Sequence, residues 1–134
     1  MLIPNSLTIR DRERTATFHA DQWLDLRSNP DNYQSLGIFF VRSYFTDEDA
    51  IEKAKRKDQP LGPKLQQIAD TAEKIDLSHQ ERFRVVRYAV AEALIYLANH
   101  APANGSIDFL IKDVSIGYEG HGTCNLSAVG YQRL

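Results

Sequence analysis

A chain of 134 residues that is 43% hydrophobic and 25% charged has the composition of an ordinary globular protein, which excludes global disorder. Its formal net charge of −2 gives no support to a nucleic-acid partner. The length fits a single domain covering residues 1–134. The first residues lack the character of a signal peptide, and no apolar run is long enough to span a bilayer. The single cysteine, Cys124, cannot form an internal disulfide. We therefore expect a cytoplasmic protein.

The N-terminal part of the chain predicts a hairpin followed by a short helix. Leu7–Ile9 and Ala16–Phe18 each alternate apolar and polar residues on either side of a charged stretch, as two paired strands would. Asp21 is a suitable N-cap for the helix, and the segment 29–32, Asn-Pro-Asp-Asn, is a stop and turn signal.

The next segment predicts a strand and two helices. Residues 36–45 are rich in aromatic and β-branched residues with apolar side chains on both faces, which is typical of a central strand. Thr46 and the acidic residues after it favour a helix start, and that helix extends to about Lys57. Pro63 suits the first position of another helix, whose apolar stripe continues to Ile75.

Residues 78–100 predict one long central helix around which the rest of the chain packs. Ser78 and Glu81 form a capping-box pattern, and Pro102 prevents the helix from continuing. The apolar residues recur at the spacing of an amphipathic helix, and the predicted core stripe is Phe83, Val86, Val90, Ala93, Leu94 and Leu97.

Two strands are predicted at the C-terminal end. The alternation of apolar residues after Pro102 changes phase near Lys112-Asp113, which requires a bulge or break. The segment 119–122, Glu-Gly-His-Gly, predicts a turn. The final strand, about 123–132, places Cys124, Leu126 and Ala128 on one face.

The predicted element order is β-β-α-β-α-α-α-β-β. This order is typical of an α+β domain in which helices cover one face of a mainly antiparallel sheet of about five strands.

The sequence contains few candidates for chemistry. Cys124 with His121 could form a thiol nucleophile and base, but the phase of Cys124 favours a small buried hydrophobic role. The four histidines lack a second His or Cys at zinc-ligand spacing, so we expect no metal, and no motif indicates a cofactor. The turn at residues 120–122 lacks the remainder of a phosphate-binding motif.

The densest group of basic side chains is Lys53, Lys55, Arg56, Lys57 and Lys64. Nucleic-acid binding could use these residues for phosphate contacts. However, the acidic residues four positions before Lys53 and Arg56 give the spacing of a solvated helix face, which makes a nucleic-acid partner the third hypothesis.

The far side of the long helix is too apolar for open solvent and too polar for an ordinary core. Arg84, Tyr88, Glu92 and Tyr96 recur every four residues, with Ile95 beside them. Either the predicted helix 63–75 covers this side, or it is a protein interface, where tyrosine and arginine are enriched.

These observations predict a small cytoplasmic protein-binding or regulatory module without catalytic activity, such as an adaptor, inhibitor or immunity-type protein. Its partner would be another protein, a second copy of the chain in a homodimer, or both. We expect no membrane as a partner. The alternative is an enzyme or small-ligand-binding domain with a site assembled around Arg84, Tyr88, Glu92 and His121.

Overall fold

The structure, a computed structural model, describes residues 6–20, 22–45, 48–75, 84–118 and 122–134. Its elements combine a five-stranded sheet with four α-helices, which confirms the α+β class. In chain order they are β1 Ser6–Asp11, β2 Arg14–His19, α1 Leu24–Ser28, β3 Tyr33–Phe45, α2 Glu48–Arg56, α3 Pro63–Ala72, α4 Arg84–Ala98, β4 Ser106–Tyr118 and β5 Gly122–Arg133. A short 3-10 helix, Pro30–Asn32, follows α1 and departs from the expected order.

The sheet is mixed, and its strand order is β1-β2-β4-β5-β3. Three of the strand pairs are antiparallel, namely β1 with β2, β4 with β5, and β5 with β3. The pair β2 and β4 is parallel, because the chain crosses over the sheet through the helical segments before β4 begins. The prediction of a mainly antiparallel sheet is confirmed.

The prediction that residues 36–45 form a central strand is wrong, because β3 is an edge of the sheet. β3 pairs with β5 along almost its whole length, and no strand among the described residues pairs with its other edge. The inward-facing Phe39 and Val41 pack against the main core, whereas the outward-facing Ile38 and Phe40 are exposed. Apolar residues on both faces therefore do not indicate burial on both faces in this strand.

One face of the sheet carries the main core. α4 lies against this face and contacts every strand, while α2 and α3 pack against α4. Phe18, Phe45 and Phe109 fill the space between sheet and helices and are almost fully buried. Gly130 on β5 leaves room for the Phe39 ring, since an added Cβ would lie 2.7 Å from a ring carbon. This region is the larger of the two hydrophobic clusters among the described residues.

The prediction that all helices cover one face is wrong for α1. Successive side chains of a strand point to opposite faces, and in β4 Phe109 belongs to the main core while Leu110 belongs to a second cluster. That second cluster also contains Trp23 and Tyr33. The segment that includes α1 therefore packs on the face opposite α4, because its aromatic side chains find an apolar patch there.

Within its described part, the long helix is buried on nearly all sides, since every residue from Val86 to Ala98 except Arg87 and Tyr96 is buried. α4 ends at Ala98, two residues before the predicted end, and residues 99–101 form hydrogen-bonded turns. The described members of the core stripe are all buried, namely Val86, Val90, Ala93, Leu94 and Leu97. The predicted start at Ser78, the cap partner Glu81 and Phe83 lie outside the described residues.

Several local predictions are confirmed. β1 and β2 form the expected hairpin, and Pro63 is the first residue of α3. The register of β4 against β5 shifts between Ile111 and Asp113, where the apolar phase changes. Asp21, Thr46 and the turn at residues 119–121 lie outside the described residues. None of the described helices has the length and apolar character needed to cross a membrane.

Candidate functional site

Four of the eight exposed large hydrophobic side chains among the described residues lie on β3. We use the term β3 surface for the exposed side chains Leu36, Ile38, Phe40, Arg42 and Tyr44. Phe40 is 80% exposed, Ile38 62%, Tyr44 47% and Leu36 43%. Together these four apolar side chains expose on the order of 400 Å², taking about 150–250 Å² for each whole side chain. Patches of this size on a monomer are often functional.

The backbone of β3 is as accessible as its side chains. A strand edge presents unpaired N–H and C=O groups that can pair with another chain, and native proteins usually protect such edges with charges, prolines or bulges. β3 has no proline, and Arg42 is its single charged residue. Its bulge lies near the beginning, where the register shifts between Ser35 and Gly37 and Gly37 takes a φ of +94°. In the segment after Gly37, Arg42 is the single one of these protections.

The single charge on β3 is held against an aromatic ring. The guanidinium carbon of Arg42 lies 4.7 Å from the centroid of the Tyr44 ring, which is cation–π geometry. Beside Phe40 a shallow groove of about 320 Å³ crosses onto β5 and β4, where Asn125, Ser127 and Asp113 line it. The β3 surface is therefore an apolar strip whose polar border lies on the neighbouring strands.

A second cluster on the same face of the sheet combines aromatic and charged side chains. His19 Nε2 lies 2.8 Å from Asp108 Oδ1, and Arg133 Nε donates to Asp108 Oδ2 at 3.1 Å. Burial alone would raise the pKa of Asp108, but the hydrogen bonds from His19 and Arg133 outweigh it and lower the pKa. The carboxylate of Asp108 is therefore held in its charged form by two basic partners.

Aromatic packing ties α1 to this cluster. The rings of His19 and Trp23 are stacked with centroids 3.8 Å apart, and Trp23 makes edge contacts with Tyr33 and Tyr131. The hydroxyl of Tyr33 donates to Asp25, a bond that lowers the pKa of Asp25. Because its polar groups bond to one another, this cluster stabilises the packing of α1 on the sheet.

The residues predicted as a protein interface on α4 lie largely inside the molecule. Tyr88, Glu92 and Ile95 are each less than 9% exposed, whereas Tyr96 is 38% exposed. The side chain of Arg84 lies outside the described residues. A role for this face in binding another protein stays a prediction, and among the described side chains Tyr96 offers it the largest exposed fraction.

Side chains of α2 and β3 cover part of this face. Tyr88 donates its O–H to Glu52 Oε1 at 2.7 Å, and its ring centroid lies 5.3 Å from that of Phe45. Ser43 donates to Glu92 Oε1 at 2.7 Å. α3, at the position of the predicted helix 63–75, also contacts α4. Burial raises the pKa of Tyr96, and the charge of Glu92 and a hydrogen bond to it add to this increase.

The predicted basic residues Lys53, Lys55, Arg56, Lys57 and Lys64 are all exposed. Lys55 lies near Tyr88, with its Nζ 3.4 Å from the tyrosine hydroxyl and 5.8 Å from the ring centroid. The exposed cations agree with a solvated helix surface as well as with phosphate contacts, so nucleic-acid binding stays a prediction.

The residues considered for catalysis do not form a site among the described residues. Cys124 is fully buried, and this burial raises the pKa of its thiol to about 12, which disfavours a thiolate. His121 lies outside the described residues, as does the side chain of Arg84. Where the chain is described, no group of three or more His, Cys, Asp or Glu side chains is placed to hold a metal ion.

Comparison of the chain with protein-family models, with curated proteins and with solved structures found no match. The function of the protein is therefore inferred from its own surfaces. Sequence patterns missed the β3 surface, although the apolar residues on both faces of segment 36–45 were visible. That pattern does not reveal whether a strand lies in the middle or at the edge of a sheet.

Proposed function

We propose that this protein is a non-catalytic protein-association module that acts as a homodimer, formed by antiparallel pairing of β3 with the β3 strand of a second copy. The observation that supports this proposal is the 80% exposure of Phe40 on a long edge strand whose outer edge no described strand pairs with. Addition of a strand to such an edge supplies main-chain hydrogen bonds, and the alternate side chains supply specificity. Burial of the exposed aromatic and aliphatic groups supplies the driving force.

Two-fold symmetry favours a second copy as the occupant of this edge. A two-fold axis brings the same surface of each copy together, and an edge strand placed against itself by such an axis runs antiparallel. Pairing over residues 37–45 has to bury about 1,000 Å² in total to reach the lower limit for a specific interface. Each copy supplies the same strand, β3, to the interface, so the pairing needs no other strand of the chain.

The side chains of β3 favour one register of this pairing. With Val41 opposite Val41 of the second copy, Arg42 lies opposite Phe40 and Tyr44 lies opposite Ile38. Both are favourable cross-strand pairs, the first a cation with an aromatic ring and the second an aromatic with a β-branched residue. A shift that places Arg42 opposite Arg42 brings two like charges together and is disfavoured.

A pair of charge substitutions at Phe40 tests both the dimer and its register. Phe40→Arg places a cation opposite Arg42 of the second copy, so we expect a monomer by sedimentation velocity. Phe40→Glu removes the same aromatic ring but places a carboxylate opposite that arginine, so we expect the dimer to persist. Because Phe40 is mostly exposed, neither change should disrupt the fold of the single chain, which far-UV circular dichroism checks.

The control is Leu24→Arg on α1, which introduces the same charge at a side chain that is 67% exposed and outside β3. It should leave the dimer intact. A wild type that sediments as a monomer throughout the micromolar range would reject the second copy as the occupant. If the wild type is a dimer and both Phe40 substitutions weaken it to the same extent, the proposed register is rejected. If neither substitution weakens the dimer, the β3 interface is rejected.

A further inference from the structure

The main core has an open flank along the free edge of β3, on the side of the sheet that carries α4. On β5 the core-facing residues Cys124, Leu126 and Ala128 are at most 2% exposed. Two of their cross-strand neighbours on β3, Phe39 and Val41, are only partly buried. No described strand covers the other edge of β3, so solvent reaches the core side of this strand from its free edge.

Tyr96 of α4 stands beside this flank. Ser43 of β3 donates to Glu92 Oε1 at 2.7 Å, and the hydroxyl of Tyr96 is hydrogen-bonded to the same carboxylate. Two hydrogen bonds to one carboxylate hold the two hydroxyl oxygens within about 8 Å of each other. Ser43 and Glu92 are buried, whereas Tyr96 is 38% exposed. The tyrosine ring is therefore fixed next to β3 while part of its surface faces solvent.

The β3 pairing proposed above would bring two such flanks together, and we use the term seam for the line where the two β3 strands meet. With Val41 opposite Val41 of the second copy, Phe39 lies opposite Ser43 of the second copy. These three residues alternate with the β3 surface, so they point to the face that carries α4. Paired strands lie about 4.8 Å apart, so a ring beside Ser43 is within reach of Phe39 across the seam.

The area that a stable dimer needs favours a contribution from this face. The exposed 38% of Tyr96 amounts to roughly 80 Å² per copy, taking about 200 Å² for the whole side chain. Two copies therefore supply roughly 160 Å², which is about a sixth of the 1,000 Å² at the lower limit for a specific interface. Tyrosine is also among the residues enriched at the energetic centres of interfaces.

We propose that Tyr96 of each copy packs across the seam against Phe39 of the second copy. This inference rests on the proposed function and adds a second layer to the same interface. Phe40 and Arg42 pair on the outward face of the sheet, while Tyr96 and Phe39 form an aromatic pair on the face that carries α4. The hydrogen bond to Glu92 fixes the Tyr96 ring before association, so little side-chain freedom is lost when the dimer forms.

Sedimentation equilibrium of the full chain tests this contact through the dissociation constant of the dimer. Tyr96→Ala removes the ring and should raise this constant roughly tenfold or more. Tyr96→Lys should raise it as well, because lysine favours the helix and covers the position with its stem but brings a cation to the seam. Tyr96→Phe keeps the ring and should stay within about threefold of the wild type. The control Leu24→Ala truncates an exposed side chain of α1 and should leave the constant unchanged.

The Phe40 variants separate a failure of this contact from a failure of the dimer. A monomeric wild type, or a dimer that Phe40→Arg leaves intact, would overturn the proposed function and this inference with it. If Phe40→Arg dissociates the dimer while Tyr96→Ala and Tyr96→Lys associate like the wild type, the Tyr96 contact alone is overturned. Equal weakening by Tyr96→Phe and Tyr96→Ala would also overturn it, because the hydroxyl would then matter more than the ring. Loss of the folded circular-dichroism spectrum in both the Ala and the Lys variant would assign Tyr96 a structural role and reject the contact.

Discussion

Replacement of Leu94 by Ala tests the assigned phase of α4 and the location of the core. Leu94 is fully buried and belongs to the cluster in which α4 packs on the sheet. The change removes three carbon atoms, which at about 0.8 kcal/mol each costs about 2.4 kcal/mol in lost transfer free energy. A residual cavity adds about 1–2 kcal/mol, because the surrounding side chains relax only in part. We therefore expect a loss of about 3–4 kcal/mol in the free energy of unfolding.

Leu24→Ala is the matched control, since it makes the same chemical change at a side chain that is 67% exposed. It should cost less than about 0.5 kcal/mol. Urea titration followed by circular dichroism measures both values, and equal denaturant slopes would show that the unfolded states are comparable. A loss below about 1 kcal/mol for Leu94→Ala, or equal losses for the two variants, would refute the packing of α4 described above.

Two further predictions concern titratable groups. The pKa of Asp108 is lowered in the folded state, so its two basic partners stabilise the fold where the carboxylate is charged. This stabilisation is fully present above about pH 4, the pKa range of an unfolded aspartate, and is lost as the pH falls through the folded-state pKa. By calorimetry, the Asp108→Asn variant should therefore unfold at a lower temperature than the wild type at neutral pH, and its unfolding temperature should depend less on pH between about 2 and 5. An unchanged pH dependence would contradict the stabilising role of the two basic partners. Cys124, whose pKa burial raises to about 12, should react with a thiol reagent only at the rate at which the protein unfolds. Rapid labelling without denaturant, with a pH midpoint below that of a free thiol, would contradict its burial.

The local features of the fold were readable from the sequence. The spacing of Val86, Val90, Leu94 and Leu97 identified residues of α4 that are buried, because a helix repeats every 3.6 residues whatever it packs against. It did not separate them from the other side of the helix, where Tyr88 and Glu92 are buried as well. The bulge near Asp113 was predicted for a similar reason, since a strand alternates with a period of two and a phase change requires an extra residue. Pro63 marked the start of α3, because proline lacks the N–H group that the first turn leaves unpaired anyway.

The partners of those faces could not be read in the same way. Apolar periodicity reports that a side chain requires cover, but the group that covers it comes from residues distant in the chain. Tyr88 and Glu92 were identified as a face that required cover, and the tertiary structure places Glu52 of α2 and Ser43 of β3 against them.

Strand order is the clearest case of a property that only the tertiary structure decided. Residues 36–45 have the composition of a central strand, yet β3 pairs with β5 alone. The sequence determined that this segment is extended and apolar on both faces, since β-branched and aromatic side chains favour that conformation. Its position at the edge follows from the pairing of β5 with both β4 and β3, which leaves β3 at the end of the sheet with Phe40 exposed. Strand pairing is a competition among distant segments, so no local pattern could have predicted which strand would lie at an edge.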